Sequence, residues 1–150
     1  MSGPPPDDAA ATLLPAGTDP HVIAVIWATV DIDRVVAGIG LPAVELPDDP
    51  LFGAFVRLVR PPDADPIALL EPRTEGRIAE TLARAGEGPV GRYVVAVDGL
   101  ARVADRAAAA GLALSRIEEG PFGPSAIVLG GPPAGPHLVL VDRPTGTIES

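Results

Sequence analysis

The chain has 150 residues, one domain's worth, with 11 basic and 20 acidic residues and a formal net charge of -9. That balance argues against a nucleic-acid binder, which needs a clustered cationic excess to neutralise phosphates. All the basic residues are Arg, and there is no Lys, Cys, Asn or Gln. These absences remove Schiff-base chemistry, thiolate nucleophiles, cysteine zinc sites and carboxamide oxyanion holes.

Apolar residues make up 47% of the chain, enough for a sizeable core, while aromatics at 3% leave no base-stacking platform. The first twenty residues lack a basic segment followed by a long apolar run, so no secretion signal is read there. No apolar run approaches the roughly 18 residues that span a bilayer. The expectation is a soluble, cytoplasmic protein.

Residues 1–20, with Pro4, Pro5, Pro6, Pro15 and Pro20, are expected to form a flexible tail. The β-branched run from His21 to Asp31 predicts a strand. Asp31 or Asp33 caps a short helix through Val35, Val36 and Ile39 that Gly40 ends. Strands are expected at 41–46, 53–59 and 67–70, with prolines between the last two. Ile78, Leu82 and Ala85 have helical spacing, giving a linker helix within 72–91. The pattern then repeats: a strand at 92–97, a helix over 100–110 stopped by Gly111, and strands at 112–117, 125–129 and 138–141. The two halves, 21–71 and 92–142, match in element order, β-α-β-β-β, and both run a strand into Val-Asp before the helix (Val30-Asp31 and Val97-Asp98).

Between the halves lie Leu69-Leu70-Glu71-Pro72, Gly86-Glu87-Gly88 and Arg92-Tyr93-Val94-Val95-Ala96-Val97-Asp98, followed by Ala109-Ala110-Gly111. In this order and spacing they resemble the vicinal oxygen chelate superfamily, the glyoxalase, bleomycin-resistance and methylmalonyl-CoA epimerase relatives. The resemblance covers nearly everything after residue 20. It implies an α+β fold in which two βαβββ modules form a curved mixed sheet around a ligand cup, and a homodimer. It also implies one divalent metal held by four side chains on the first and last strands of each module. Aligned on these motifs, the four positions are Ala24, Ala68, Arg92 and Val139. Three cannot coordinate a metal and the fourth is a permanent cation. The expectation is therefore no metal and no cofactor.

The same alignment lines the cup with Ala24, Ile26, Ala28, Ala68, Leu70, Val94, Ala96, Val139 and Val141, with Arg92 inside. Arg92 reads either as an anchor for a ligand carboxylate or phosphate, or as an internal partner of Glu45, Glu71 or Glu118. Arg57 is a second unexpected strand cation, placed in the cup by reading Ala54, Val56 and Leu58 as the helix-covered face. Glu118 is the candidate base, against a bland reading as a solvated strand end. Glu71 faces away by alternation and reads as structural, Trp27 packs on a helix, and His21 and His137 read as strand-start residues. The loop Gly130–Gly135 lacks the Lys and Ser or Thr of a phosphate cradle.

An apolar cup with one or two cations suits a small anionic metabolite. The first functional reading is a metal-independent isomerase, cyclase or lyase of specialised metabolism, with Arg92 and Glu118 as catalytic groups. The alternative is a non-catalytic binding protein of the antibiotic-sequestering kind.

Overall fold

The computed structural model describes residues 6–132 and 135–142. In chain order the elements are α1 (Pro6–Leu13), β1 (Val22–Ala28), α2 (Ile32–Ile39), β2 (Ala43–Asp49), β3 (Ala54–Val59) and β4 (Ile67–Pro72). They continue as α3 (Arg77–Ala85), β5 (Gly88–Ala96), α4 (Leu100–Ala110), β6 (Glu118–Gly120), β7 (Gly123–Ile127) and β8 (His137–Asp142). The strands form one eight-stranded sheet in the order β2-β3-β4-β1-β5-β8-β7-β6. Each β-α-β-β-β module supplies a contiguous half, and an antiparallel β1–β5 seam joins the halves. Within each half the first strand runs parallel to the last, β1 to β4 and β5 to β8.

The sheet curls until its two edge strands approach: a Cβ on Gly120 of β6 would stand 3.9 Å from Asp49 Oδ2 of β2. Eight strands curled this far enclose a space about the size their inward side chains fill. The inner cluster gathers Ala24, Ile26, Ala28, Ala54, Val56, Leu58, Ala68, Leu70, Tyr93, Ile127, Val139 and Val141, with Phe52 and Ile78. Helix α3 joins it through Ile78 and Leu82. The intervening residues face outward. On the first half Val59 and Leu69 pack under α2 with Trp27. On the second, Val94, Ala96, Ala126, Leu138 and Leu140 pack under α4 and α1.

Both module helices are held by the same device. Asp31 caps α2 by accepting from the Arg34 amide at 3.2 Å, and Gly40 ends it at φ 76°. Glu71, at the end of β4, also accepts from the Ile32 amide of α2 at 2.8 Å. Asp142, at the end of β8, accepts from the Leu100 amide of α4 at 3.1 Å, where Gly99 offers no capping side chain. The last strand of each module thus presents a carboxylate to the positive end of that module's helix. Replacing Glu71 by Ala is expected to lower unfolding free energy by about 1 kcal/mol, with Gln recovering part of it, as read by urea denaturation. Unchanged stability in the Ala variant would remove this role.

Glu87, from Gly86-Glu87-Gly88, is a third latch. Its carboxylate accepts from the Val30 amide at 2.9 Å, from Thr29 Oγ1 at 2.8 Å and from Arg34, which hold its pKa down to about 2. The motif acids are therefore occupied in fixing loops to helices.

Three expectations are corrected. Residues 6–13 form a helix rather than part of a flexible tail, because Ala9, Ala10, Leu13 and Leu14 bury an apolar face on the α4 side of the sheet; residues 1–5 lie outside the described residues. The segment 112–117 is not a regular strand. Leu114 makes an isolated bridge to Val128, and the Ser115 hydroxyl accepts from the Ile127 amide, so a side chain takes a place in the ladder. Strand β5 begins at Gly88, four residues before the expected start at Arg92. Of the glycine-rich loop, residues 133–134 lie outside the described residues, as do 143–150.

Candidate functional site

Pairing register decides which side chains enter the cup. Ala24 of β1 stands opposite Tyr93, and Val25 opposite Arg92. Tyr93 is therefore the inward residue. Arg92 faces outward with Val94, which lies in the cluster under α4. The expected placement of Arg92 and Val94 in the cup is one residue out of phase, and Ala96 moves with them. A shift of one residue turns every side chain to the other face. The β1–β5 pairing has register shifts between Val22 and Ala24 and between Ile26 and Trp27, which a count along the sequence does not reveal. Ala24, Ile26, Ala68, Leu70, Val139 and Val141 all lie in the inner cluster.

Arg57 also faces outward. Val56 pairs with Leu70 and Arg57 with Leu69, so Ala54, Val56 and Leu58 line the inside, the reverse of the face assigned from alternation. Alternation separates two faces without saying which one α2 covers. Arg57 makes an ion pair with Asp33 at 2.7 Å beside a polar outer hollow of about 140 Å³ that also includes Glu45, Asp48 and Glu71. Surroundings this acidic do not favour an anion. Glu118 stands opposite Ser125 on β7 and is ion-paired to Arg116 at 2.7 Å. His21 is exposed at the start of β1.

The polar groups inside the cup are different ones. Asp49 is fully buried at the end of β2. Its Oδ1 accepts from the amides of Leu51 at 2.8 Å and Phe52 at 3.3 Å, and Tyr93, also fully buried, donates its hydroxyl to Oδ2 at 2.6 Å. Burial raises the Asp49 pKa, opposed by these hydrogen bonds and by the charge of Arg77. Burial and the neighbouring carboxylate push the Tyr93 pKa well above its usual value.

His137 begins β8 and is 8% exposed. Its Nε2 lies 2.9 Å from Thr81 Oγ1 on α3. The same hydroxyl lies 2.9 Å from the Arg77 carbonyl, to which it donates, one turn back along α3. Burial, then the Arg77 charge, lowers the His137 pKa to about 4, so the ring is neutral at pH 7. Arg77 itself begins α3 and donates Nε to the Leu51 carbonyl at 3.2 Å. Phe52 lies between the two polar groups, edge-on to Tyr93 (centroids 6.5 Å apart) and to His137 (5.4 Å). Phe122 packs on the other side of Tyr93 at 4.9 Å.

Sequence reasoning missed Asp49, Tyr93, His137, Thr81, Arg77 and Phe52. Tyr93 carried the best signal, a polar-tipped aromatic within an apolar strand, and buried tyrosines take hydrogen-bond partners. Asp49 sits in Pro47-Asp48-Asp49-Pro50, which reads as a surface turn.

The metal site of the resemblance does not fit here. On the four strands concerned, the cup faces carry Ala24 and Ile26, Ala68 and Leu70, Tyr93, and His137, Val139 and Val141, a single imidazole with no carboxylate beside it on these strands, which is too few ligands for a metal. Among the described residues no group of three or more His, Cys, Asp or Glu side chains is close enough to hold a metal ion.

Helices, seam and curl together define the vicinal oxygen chelate fold. A Mycobacterium tuberculosis methylmalonyl-CoA epimerase superposes with a TM-score of 0.72 over 93% of this chain and 99% of its own, at 19% identity. A Streptomyces coelicolor methylmalonyl-CoA epimerase in complex with 2-nitronate-propionyl-CoA gives 0.67 over 85% and 97%, at 20% identity. Hypothetical protein BH1468 from Bacillus halodurans gives 0.69 over 87% and 99%, at 18% identity. No family model and no curated protein matches the sequence. Among the described residues no helix is long and apolar enough to cross a membrane.

Proposed function

We propose that this chain acts on a small anionic metabolite in its cup as a metal-independent isomerase, with Asp49 as the proton-transferring base. The observation that carries the reading is the buried Asp49–Tyr93 pair. A carboxylate whose pKa is raised by burial is a stronger base than one in water, and Tyr93 orients it. Arg77, whose charge acts on both Asp49 and His137, supplies the cation that would draw a carboxylate and stabilise an enolate oxygen. In this role it replaces Arg92. The base removes a proton from carbon α to a carbonyl and returns it to the same or a neighbouring carbon, so the reaction is redox-neutral and needs no co-substrate. Epimerases among the structural neighbours make proton transfer at carbon a natural chemistry for the fold.

The test is deuterium incorporation. Small α-substituted carboxylic acids and acyl thioesters are incubated with the protein in D2O and followed by proton NMR. Exchange by the wild type should fall at least about 100-fold in Asp49→Asn, the scale of a lost general base. Equal exchange by both proteins would reject Asp49 as the base.

A second reading is a non-catalytic small-molecule binder. It is favoured by the three hydrogen bonds that the Asp49 carboxylate already accepts, which fit a structural role equally well. A ligand that co-purifies unchanged and shows no exchange supports it. Either reading includes a homodimer, and sedimentation should then give twice the 15.2 kDa of one chain.

A further inference from the structure

The cup is filled in an unusual way. Its strands contribute small side chains at several inward positions, Ala24, Ala28, Ala54 and Ala68, all buried. Gly91 is held to glycine because a Cβ there would come within 3.0 Å of the His137 backbone. The bulk arrives from outside the strands, above all as Phe52 from the turn between β2 and β3. That ring is fully buried and lies between two polar groups of the cup, with Tyr93 on one side and His137 on the other. The turn's backbone is fixed by Asp49 and by the Ile78 amide, which donates to the Phe52 carbonyl at 3.0 Å. The turn's hydrogen bonds are made by its backbone, so swinging the phenyl group out about χ1 breaks no ladder contact.

We infer that the Phe52 ring is an internal stand-in for the ligand, and that the cup takes a planar molecule of about one six-membered ring bearing a hydrogen-bonding oxygen. A ring that replaces a ring regains the edge-on contacts with Tyr93 and His137 that withdrawal of Phe52 gives up. Its hydroxyl donates to the Tyr93 oxygen, a contact that no phenyl side chain makes, while Tyr93 keeps its bond to Asp49. The inference rests on the cup being the binding site of the proposed function. Because the open form is a minor population, the wild type binds weakly, in proportion to that population, and removal of the plug strengthens binding.

The probes are phenol and toluene, which share size and differ in the hydroxyl. They are titrated into wild type, Phe52→Ala and Phe52→Leu, with amide NMR shifts and affinity as readouts. Phe52→Leu removes the ring while keeping a side chain in the core, and serves with a smaller expected gain if the Ala variant fails to fold. Wild type should show shifts at Gly91, Tyr93 and His137 with phenol. The plug-deleted variant should bind phenol at least tenfold more tightly than wild type does, and prefer phenol to toluene. Adding Tyr93→Phe should remove that preference. An absence of phenol-induced shifts at these residues in the wild type would overturn the inference, as would an equal response to toluene in the variant. Phenol binding in the cup without deuterium exchange of any acid leaves the inference standing and removes the isomerase reading.

Discussion

Asp49→Ala is expected to lower unfolding free energy by about 3–5 kcal/mol, and Asp49→Asn by about 1–2 kcal/mol. Alanine strands three buried donors at once, the amides of Leu51 and Phe52 and the Tyr93 hydroxyl. Each orphaned donor carries its desolvation penalty without a partner. Asparagine keeps a carbonyl oxygen for the two amides and relieves the burial of charge, but its amide group donates to the tyrosine oxygen and leaves the Tyr93 O–H as the one stranded donor. Chemical denaturation of the two variants at neutral pH decides the matter. Similar losses in both would mean that the carboxylate's charge, and not its hydrogen-bonding geometry, closes the β2 edge. The pair also separates fold from chemistry: Asp49→Asn should stay folded while exchange is lost.

The second large effect concerns acid. His137 has a pKa of about 4 in the fold against the usual 6.5. Between these values the unfolded chain binds the extra proton, so stability falls as the pH drops from about 6.5 to about 4 and levels off below. At about 1.4 kcal/mol per pKa unit, the loss is roughly 3 kcal/mol. Asp49 acts in the opposite direction, because a raised carboxyl pKa favours the folded state once it is protonated. The comparison is therefore wild type against His137→Gln, which keeps a hydrogen-bonding group for Thr81 and does not titrate, so that the Asp49 contribution cancels. Urea unfolding at pH 7 and pH 4 should show roughly 3 kcal/mol more acid loss in wild type. Parallel losses in the two proteins would show that the ring is protonated at no cost in the fold.

Much of the architecture was legible in the sequence because its signals are local. Gly40 and Gly111 end their helices in the left-handed conformation expected of glycine, and Asp31 caps α2. Trp27 packs under α2, and Glu71 faces away from the cup in a structural role. The βαβββ repeat was visible as element order, and the motif around Glu87 was visible as a resemblance. The site was less legible because facing depends on partners remote in the chain. Period-two alternation marks Tyr93 and Arg92 as opposite, yet the β1–β5 register shifts decide which one enters the cup. Ala54 and Arg57 were reversed for the same reason, since only the packing of α2 tells one face of β3 from the other. Asp49 gave no signal in the sequence because its burial depends on the curl that brings β6 over it. His137 looked like a strand-start residue because Thr81, its partner, lies 56 residues earlier on a helix of the linker.

The arrangement of strands around the β1–β5 seam bears on how the chain reaches this state. In the order β2-β3-β4-β1-β5-β8-β7-β6, every pairing other than the seam joins strands of the same module. Each half can close its short loops and set its own helix cap before the other is present, so the entropy of long-range closure is concentrated in one ladder. Zipping that ladder is also what fixes the inward phase of Tyr93, and hence what brings Tyr93 to Asp49 and Phe52. Assembly of the two halves and construction of the polar cup are thus a single event, and a half-assembled chain has neither.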